Sequence, residues 1–574
     1  MVVSSSAALR AAALGLFTFS LLSKDDVHAS PLVTRTATQN AHKVHRLTVP
    51  SSGAAGASIA HRSSFASFSF EPAFWVEFFG NYSTPNSLTF SLLDRIYERG
   101  GRPIIRPGGI TMDSMVFDPS AGDPVRDTSP SGGVYRTTVG PDYYKSWSHF
   151  PNELKFVSTL NFGNDSLEIA QGLADASVQY QPDRIKYFEL GNEPTNYPES
   201  RWNDSTAAYV AQWKNWTSAI DASVNQTLAQ QHDQARANFG AEQRWWASSA
   251  TTDNSGLNVR PVDLIPAGID SNDAVGEYSI HSYPFATCDP ARAALATLPN
   301  ILNHTDLVRY ADDEIMPSAR AALDAGREWV IGEFNSVACS GQPNVTDTFA
   351  QALWVVDSEL IYAVRNASSV HLHQGATLVF QSSQQVNSAG DDGKPGFSTY
   401  DFVYPVESEK RGEARALPSF VAQLFLAEAF ASPKQDQQMR VAELPTPAGV
   451  DATRFAAYAF YNAQTHKLDK LALLNMNPYY NSSSADSKNE LGVTLDLSSL
   501  VPHASRRKAV VKRMTAPYVD EKDTDKVTWA GQSFTHGKAQ GQMQTQQLSK
   551  NGHVKVRDSE AVLILLNPDS VYQQ

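Results

Sequence analysis

Cysteine is almost absent: Cys288 and Cys339 are the only two in 574 residues. Two thiols cannot supply the ligands of a structural zinc site, and they exclude a scaffold held by many disulfides. Long apolar runs are also missing. The N-terminal stretch Ala11–Leu22 is too short for a comfortable membrane span, and no other candidate of about 20 residues occurs. Positive charge is in deficit, with 47 Lys and Arg against 60 Asp and Glu, a net charge of −13 and a pI near 5.5. That balance argues against nucleic acid or an anionic membrane surface as partner. There is no Gly-rich phosphate cradle, no His/Cys/Asp/Glu cluster with metal-ligand spacing and no internal repeat, so neither a cofactor nor a metal is expected.

What is present fits a large exported protein. Hydrophobic residues make up 42% and charged residues 19%, enough apolar material for a sizeable core, and the length allows about two to four domains. Arg10 precedes the apolar stretch, and Val27 and Ala29 offer small residues before Ser30, which reads as a signal peptide over 1–29, with a retained anchor as the alternative. Asn-X-Ser/Thr sites at Asn81, Asn164, Asn203, Asn215, Asn225, Asn303, Asn344, Asn366 and Asn481 point to a secretory route and an extracellular location. In that compartment Cys288 and Cys339, each a few residues beyond a core strand, are expected to form one disulfide, the alternative being two buried thiols.

From 65 to 431 short strand-like runs alternate with helical stretches. The strands are expected at Phe65–Phe70, Pro103–Arg106, Lys155–Asn161, Ile185–Leu190, Trp245–Ser248, Tyr278–Ser282, Trp329–Gly332 and Val370–Leu372. Leu88, Leu92, Leu93 and Ile96 recur at helical spacing, and the last helix falls at Leu417–Ala431. Eight such units favour a closed (β/α)₈ TIM barrel in the α/β class. Beyond 432 the texture becomes β-rich, at Phe455–Tyr461, Leu468–Leu474, Val493–Leu497, Ala509–Met514 and Ala561–Leu565. A C-terminal β-sandwich over 432–574 is expected, joined by a strand from the N-terminal segment 30–64, such as Lys43–Val49. Arg506, Arg507, Lys508, Lys512 and Arg513 read as a solvated strand face there.

The chemistry sits at strand ends. Phe188-Glu189-Leu190-Gly191-Asn192-Glu193-Pro194 is an apolar run stopped by proline, which delivers Glu193 to the mouth of a sheet beside an amide. Trp329–Val330–Ile331–Gly332–Glu333 repeats the device 140 positions on (333 − 193). Two carboxyls presented from strands four and seven, nearly opposite each other across a barrel, suit cleavage of a glycosidic bond. A retaining enzyme places them roughly 5–5.5 Å apart, one as acid and one as nucleophile. Glu193 is expected to be the acid, kept protonated by burial and the neighbouring charge, and Glu333 the nucleophile. Asn192 suits a hydrogen bond to a sugar hydroxyl. His281 and Tyr283 follow strand six, where Tyr283 suits a hydrogen bond to the nucleophile. Glu71 ends strand one, and Gly108, Gly109, Thr111 and Asp113 follow strand two. His371, His373 and Gln374 at strand eight read as satisfied rim residues.

Asn192-Glu193-Pro194 and Gly332-Glu333 on strands four and seven resemble the clan of retaining barrel glycosidases. Phe65–Phe70 with Glu71, Ile105-Arg106-Pro107-Gly108-Gly109, His281-Ser282-Tyr283-Pro284 and Gly332-Glu333-Phe334-Asn335-Ser336 look most like glycoside hydrolase family 79, which includes fungal and bacterial β-glucuronidases. The resemblance implies Glu193 as acid/base, Glu333 as nucleophile, Tyr283 as its partner, and Glu71 and Asn192 as hydroxyl contacts. It implies a β-linked glucuronic or 4-O-methyl-glucuronic acid as the sugar removed from a glycan. The loop Val337-Ala338-Cys339-Ser340-Gly341 departs from the family, lacking the aromatic that bacterial members use on the sugar carboxylate. Backbone amides at Ser340 and Gly341, or Tyr400 or Tyr404 from the later loop, are the expected substitutes. A neutral sugar, an endo-acting enzyme of the same clan and an inactive carbohydrate-binding cell-wall protein are the alternatives.

Overall fold

Eight runs rich in Phe, Ile, Val and Trp close into a parallel barrel, each strand pairing with its sequence neighbours and the last with the first. They are β1 (Ala66–Phe70), β2 (Ile105–Pro107), β3 (Phe156–Leu160), β4 (Ile185–Leu190), β5 (Trp245–Ala250), β6 (Val275–Ser282), β7 (Glu328–Phe334) and β8 (Val370–Gln374). The computed structural model describes residues 43–49, 53–129, 133–231, 243–252, 256–377, 387–432, 438–483, 491–501, 503–506 and 508–566. The expected signal peptide lies outside these residues.

Strands covered on both faces carry continuous apolar runs, which is why they were recognisable in the sequence. Their ends differ from expectation for local reasons. Ile104 gives its N–H to Ser67 Oγ rather than to the ladder, so β2 starts at Ile105. The seventh strand continues past Gly332 to Phe334, so Glu333 lies within it.

The outer helices include α1 (Ser87–Tyr97), α2 (Leu167–Tyr180), α3 (Thr206–Gln231), α4 (Met316–Asp324), α5 (Phe349–Val364) and α6 (Phe420–Phe430). Asn86 caps α1 by accepting from Leu88 and Thr89 N–H, and Ser166 caps α2 by accepting from Ile169 N–H. Every residue of α6 is buried, because it lies between the barrel and the C-terminal sheets. The loop after β2 carries a small three-stranded sheet, Met115–Phe117, Val125–Thr128 and Val134–Val139.

Past the barrel come β9 (Met439–Glu443), β10 (Phe455–Asn462), β11 (Leu468–Asn475), β12 (Val493–Asp496), β13 (Val510–Thr515), β14 (Thr528–Trp529), β15 (His553–Val556) and β16 (Glu560–Leu565). The larger, antiparallel sheet runs β9-β10-β11-β16-β13-β14. The smaller one joins β12 and β15 to the N-terminal strand Val44–Arg46, with Val44 opposite Thr494. Alternation along β16 sends Ala561, Leu563 and Leu565 toward the barrel and Val562 and Ile564 toward the smaller sheet.

That alternation corrects the reading of the basic cluster. Lys512 points inward and is buried, its ammonium 2.7 Å from Glu428 Oε2 on α6. Arg513 pairs with Glu560, and Arg506 donates to the carbonyls of Ser498, Val501 and Lys550. Arg507 lies outside the described residues. The C-terminal carbonyls of α6 receive a second buried cation, since Lys470 Nζ donates to Glu428 and Ala429, as a positive charge at a helix C-terminus should.

Candidate active site

Glu193 sits one turn beyond β4 in a left-handed conformation, φ 47° and ψ 63°, directly before Pro194. A residue preceding proline rarely holds such a conformation, so the surroundings must impose it. Gly191 (φ 80°) starts the turn, and a Cβ there would lie 2.6 Å from Tyr197 Oη. The N–H of Glu193 then donates to Ser249 O at 2.9 Å. Ser249 is available because the ladder with β6 skips it, Ser248 lying opposite Ser279 and Ala250 opposite Ile280, where Ser248 and Ser249 both take positive φ.

Glu333 is placed by a register shift between β6 and β7. Ile280 lies opposite Ile331, but the next pair is His281 with Glu333, so Gly332 is skipped. Gly332 has no room for a side chain, since a Cβ would meet Ser279 Oγ at 2.2 Å. The shift brings His281 beside both carboxylates. Its Nδ1 is 3.0 Å from Glu193 Oε1 and 3.9 Å from Glu333 Oε2. One ligand atom each from Glu193, His281 and Glu333 lie within 4.8 Å of one another.

The two carboxyls differ in surroundings. Glu333 is 6% exposed and accepts from Tyr283 Oη at 2.8 Å and from Arg106 Nη1 at 2.8 Å. Glu193 is more open; its Oε2 accepts from Asn196 Nδ2 at 2.9 Å. Burial alone would raise the Glu333 pKa, but positive charge at His373, His281 and Arg106 brings it down to about 2. Burial holds the His281 pKa at about 4, so this ring is neutral at neutral pH, whereas Arg106 stays charged beside Glu333. Against the effect of burial, the charges of Glu333 and Glu71 raise the His373 pKa. Tyr283 is pushed well up by burial and then by Glu333, so it remains a donor.

Beneath the carboxylates lies an ionic floor that sequence reasoning missed. Arg106, fully buried, donates to both oxygens of Glu189 at 2.5 and 3.0 Å, and also to Glu333, Ser69 Oγ and Asn192 Oδ1. Ser249 Oγ completes Glu189 at 2.5 Å. The available signal was Arg106 inside one apolar strand and Glu189 between Phe188 and Leu190 in another, charges that a barrel interior tolerates only as a pair. Arg106 donates to the Asn192 oxygen, which fixes the orientation of that side-chain amide.

Asp113 was noted after strand two without a partner. Its Oδ1 accepts from Phe162 and Gly163 N–H, and its Oδ2 from Asn192 N–H at 3.1 Å and Tyr197 Oη at 2.6 Å. One carboxylate thus ties the loops after β2, β3 and β4 to the segment carrying Asn192 and Glu193. Burial raises its pKa to about 6, with those four donors opposing. Because this pKa lies above the unfolded value, ionisation costs stability as pH rises from about 4 to 6. The charge is kept to orient the segment. Asp113→Asn presents an amine to donors and is expected to lower kcat/KM roughly tenfold, measured on any glycoside the wild type cleaves.

Other expected contacts fall into place unevenly. Glu71 is buried, but its oxygens accept from Ile110 N–H, Thr111 N–H and Thr111 Oγ1, so it fixes the loop after β2. His373, read as a rim residue, bonds Ser69 Oγ through Nδ1 and lies 3.8 Å from Glu333. Tyr400 packs near His373, with ring centroids 6.4 Å apart. Tyr404 has Arg411 and Arg415 against its ring at 5.3 and 5.1 Å. Gly341 is a correction, because its N–H is spent on Val337 O inside a tight turn. Ser340 is buried there, its carbonyl accepting from Thr399. Cys288 and Cys339 do form a disulfide, Cα–Cα 5.9 Å, which ties the loops after β6 and β7 together.

Comparison with known proteins agrees with this architecture. Residues 457–563 match the glycosyl hydrolase family 79 C-terminal beta domain. A beta-glucuronidase of Aspergillus niger is 28% identical over 351 residues, spanning 56% of this chain and only 60% of that protein. A beta-glucuronidase of Neurospora crassa is 26% identical over 521 residues, 82% of this chain and 84% of that one. Among solved structures, a 4-O-alpha-L-rhamnosyl-beta-D-glucuronidase from Fusarium oxysporum superposes with a TM-score of 0.70 at 20% identity, covering 91% of this chain and 100% of that one. A family 51 alpha-L-arabinofuranosidase from Bifidobacterium longum reaches 0.51 at 16% identity, covering 89% and 96%. At such identities the solved structures speak to the fold alone.

Proposed function

We propose that this chain is a glycoside hydrolase of family 79, whose C-terminal domain matches residues 457–563, and that it removes terminal β-linked glucuronic or 4-O-methyl-glucuronic acid from glycans by double displacement. The observation that carries this is the closeness of Glu193 and Glu333, each with an oxygen inside a 4.8 Å trio with His281. That suits the roughly 5–5.5 Å of a retaining pair rather than the roughly 6.5–9.5 Å that admits a water in an inverting one. The sugar is suggested by the two relatives named beta-glucuronidase.

In the first step Glu333, ionised, attacks the anomeric carbon. The glycosidic C–O bond breaks, Glu193 gives its proton to the departing oxygen, and a glycosyl ester of Glu333 remains. In the second, Glu193 takes a proton from water, whose oxygen displaces Glu333 and releases the sugar. Arg106 and Tyr283 hold Glu333 charged and oriented. His281, neutral, keeps one proton on its contact with Glu193 in either tautomer: the ring donates to a carboxylate, or the carboxylic acid donates to the ring. That arrangement suits a group that alternates between acid and base.

The same reading makes the protein secreted. The asparagines at 164, 203, 215, 225, 344 and 481 are exposed, and those at 81, 303 and 366 partly so. No helix of the described residues is long and apolar enough to cross a membrane. A neutral sugar is favoured by one observation: Arg106, the guanidinium at the site, has its donors committed to Glu189, Glu333, Ser69 and Asn192. Hydrolysis of aryl β-glucuronide, glucoside, galactoside and xyloside decides between them. Turnover of the glucuronide is expected; turnover confined to a neutral glycoside keeps the mechanism and discards the uronate.

A further inference from the structure

The loops after β6 and β7 leave the carboxylates side by side. Phe285–Ala286 pairs in parallel with Val337–Ala338, Phe285 opposite Val337 and Ala286 opposite Ala338. At the near end of this ladder Tyr283, the first residue past β6, donates its hydroxyl to Glu333 Oε1 at 2.8 Å. At the far end the Cys288–Cys339 disulfide closes the pair, five residues past Tyr283 (288 − 283) and six past Glu333 (339 − 333).

Two rungs are too few to hold two segments in register by themselves. Thr287 helps, giving its N–H to Ala338 O and its hydroxyl to the carbonyls of Ala338 and Cys339, at 3.2, 3.2 and 2.9 Å. Just beyond, Cys339, Ser340 and Gly341 take positive φ in succession, 61°, 80° and 86°. Left-handed residues other than glycine cost energy that their surroundings must offset, so this turn needs an anchor on each side. The disulfide is one. Thr399 N–H, donating to Ser340 O at 2.9 Å, is the other.

Packing does not account for the bond. Cys288 is exposed and Cys339 half-buried, so serine at both positions leaves no cavity in the core. Nor does the bond reach the other groups that face Glu333. Arg106, His281 and His373 stand on β2, β6 and β8, and Glu71, beside His373, ends β1. Glu193 and Tyr400 come from the loops after β4 and β8. Of these neighbours and Tyr283, only Tyr283 rides on a segment that the disulfide ties. Arg106 holds Glu333 Oε2, so Oε1 depends on Tyr283.

We propose that Cys288 and Cys339 are positioning residues for the nucleophile: their bond keeps the paired loops closed and so keeps the Tyr283 hydroxyl on Glu333. The inference rests on Glu333 as the nucleophile. With the bond gone the two segments splay, the hydroxyl leaves Oε1, and the carboxylate that attacks is held from one side only.

The test is a double-mutant cycle on kcat/KM for an aryl β-glycoside that the wild type cleaves. It compares wild type, Cys288→Ser with Cys339→Ser, Tyr283→Phe, and all three changes together, assayed well below the lowest melting temperature of the four. Opening the clamp should lower kcat/KM about tenfold when Tyr283 is present and less than about twofold when it is phenylalanine. Loss of a donor to the charged carboxylate raises its pKa, so the acid limb of kcat/KM should move up by about half a pH unit in the serine pair. In the Tyr283→Phe background it should not move further. Thr287→Val loosens the same ladder with the disulfide intact, and should give a smaller loss that again disappears without the Tyr283 hydroxyl; it serves where the serine pair does not fold. An unchanged rate in the serine pair, an equal loss with and without the hydroxyl, or an unmoved acid limb overturns the positioning role and leaves the glycosidase standing. Failure of the wild type on every glycoside overturns the parent function and this role with it.

Discussion

Glu333→Ala is expected to lower kcat on an aryl glycoside by roughly 10⁴- to 10⁶-fold, the scale on which loss of a covalent nucleophile is felt. The fold should survive, because Arg106 keeps Glu189 as its bidentate partner and Tyr283 sits near the rim. Loss of this magnitude with an unchanged melting transition separates a nucleophile from a structural anion. Azide should restore turnover in the variant by attacking the anomeric carbon directly, giving a glycosyl azide of inverted configuration. A variant with more than about a tenth of wild-type activity would remove Glu333 from the covalent step.

Arg106→Met is expected to cost stability as well as activity. Removing one partner of a buried ion pair leaves an uncompensated charge and typically costs about 3–5 kcal/mol. Here two carboxylates, Glu189 and Glu333, lose the same cation. The pH dependence gives a sharper readout. The Glu333 pKa, held at about 2, lies below the ordinary carboxylate value. Its ionised form therefore contributes stability above that ordinary value, and the contribution is lost as pH falls toward 2. Without Arg106 the pKa climbs, so the acid limb of kcat/KM should move to higher pH. Arg106→Lys keeps the charge but cannot span two carboxylates and an amide, and should recover only part of the loss. Denaturant unfolding and a pH–rate profile of both variants check this; an unmoved acid limb would show that Arg106 does not set the charge of Glu333.

Much of the barrel was visible in the chain because strands buried on both faces cannot hide their composition. The fourth strand matches its expected bounds, Ile185–Leu190, and the others shift by a few residues where a side chain such as Ser67 or a bulge replaces the ladder. Glu193 and Glu333 stood out as carboxyls ending apolar runs. The residues that support them did not. The pairing of Arg106 with Glu189 joins positions 83 apart, and Asp113 meets Tyr197 across 84. Closures of that length are a property of the barrel, not of any local pattern. The one-residue slip that sets His281 against Glu333 likewise leaves no mark in the sequence. Lys512 was misread because charge clustering was counted along the strand, whereas alternate residues face opposite sides. The Gly341 amide was misassigned because a tight turn consumes the very donor it displays.

The central claim is that Glu193 and Glu333 act as a retaining pair on a β-glucuronide. The most direct measurement is proton NMR of the first sugar released, taken before mutarotation. The β anomer of glucuronic acid appearing first is the predicted result; the α anomer appearing first would mean a single displacement by water and would contradict it.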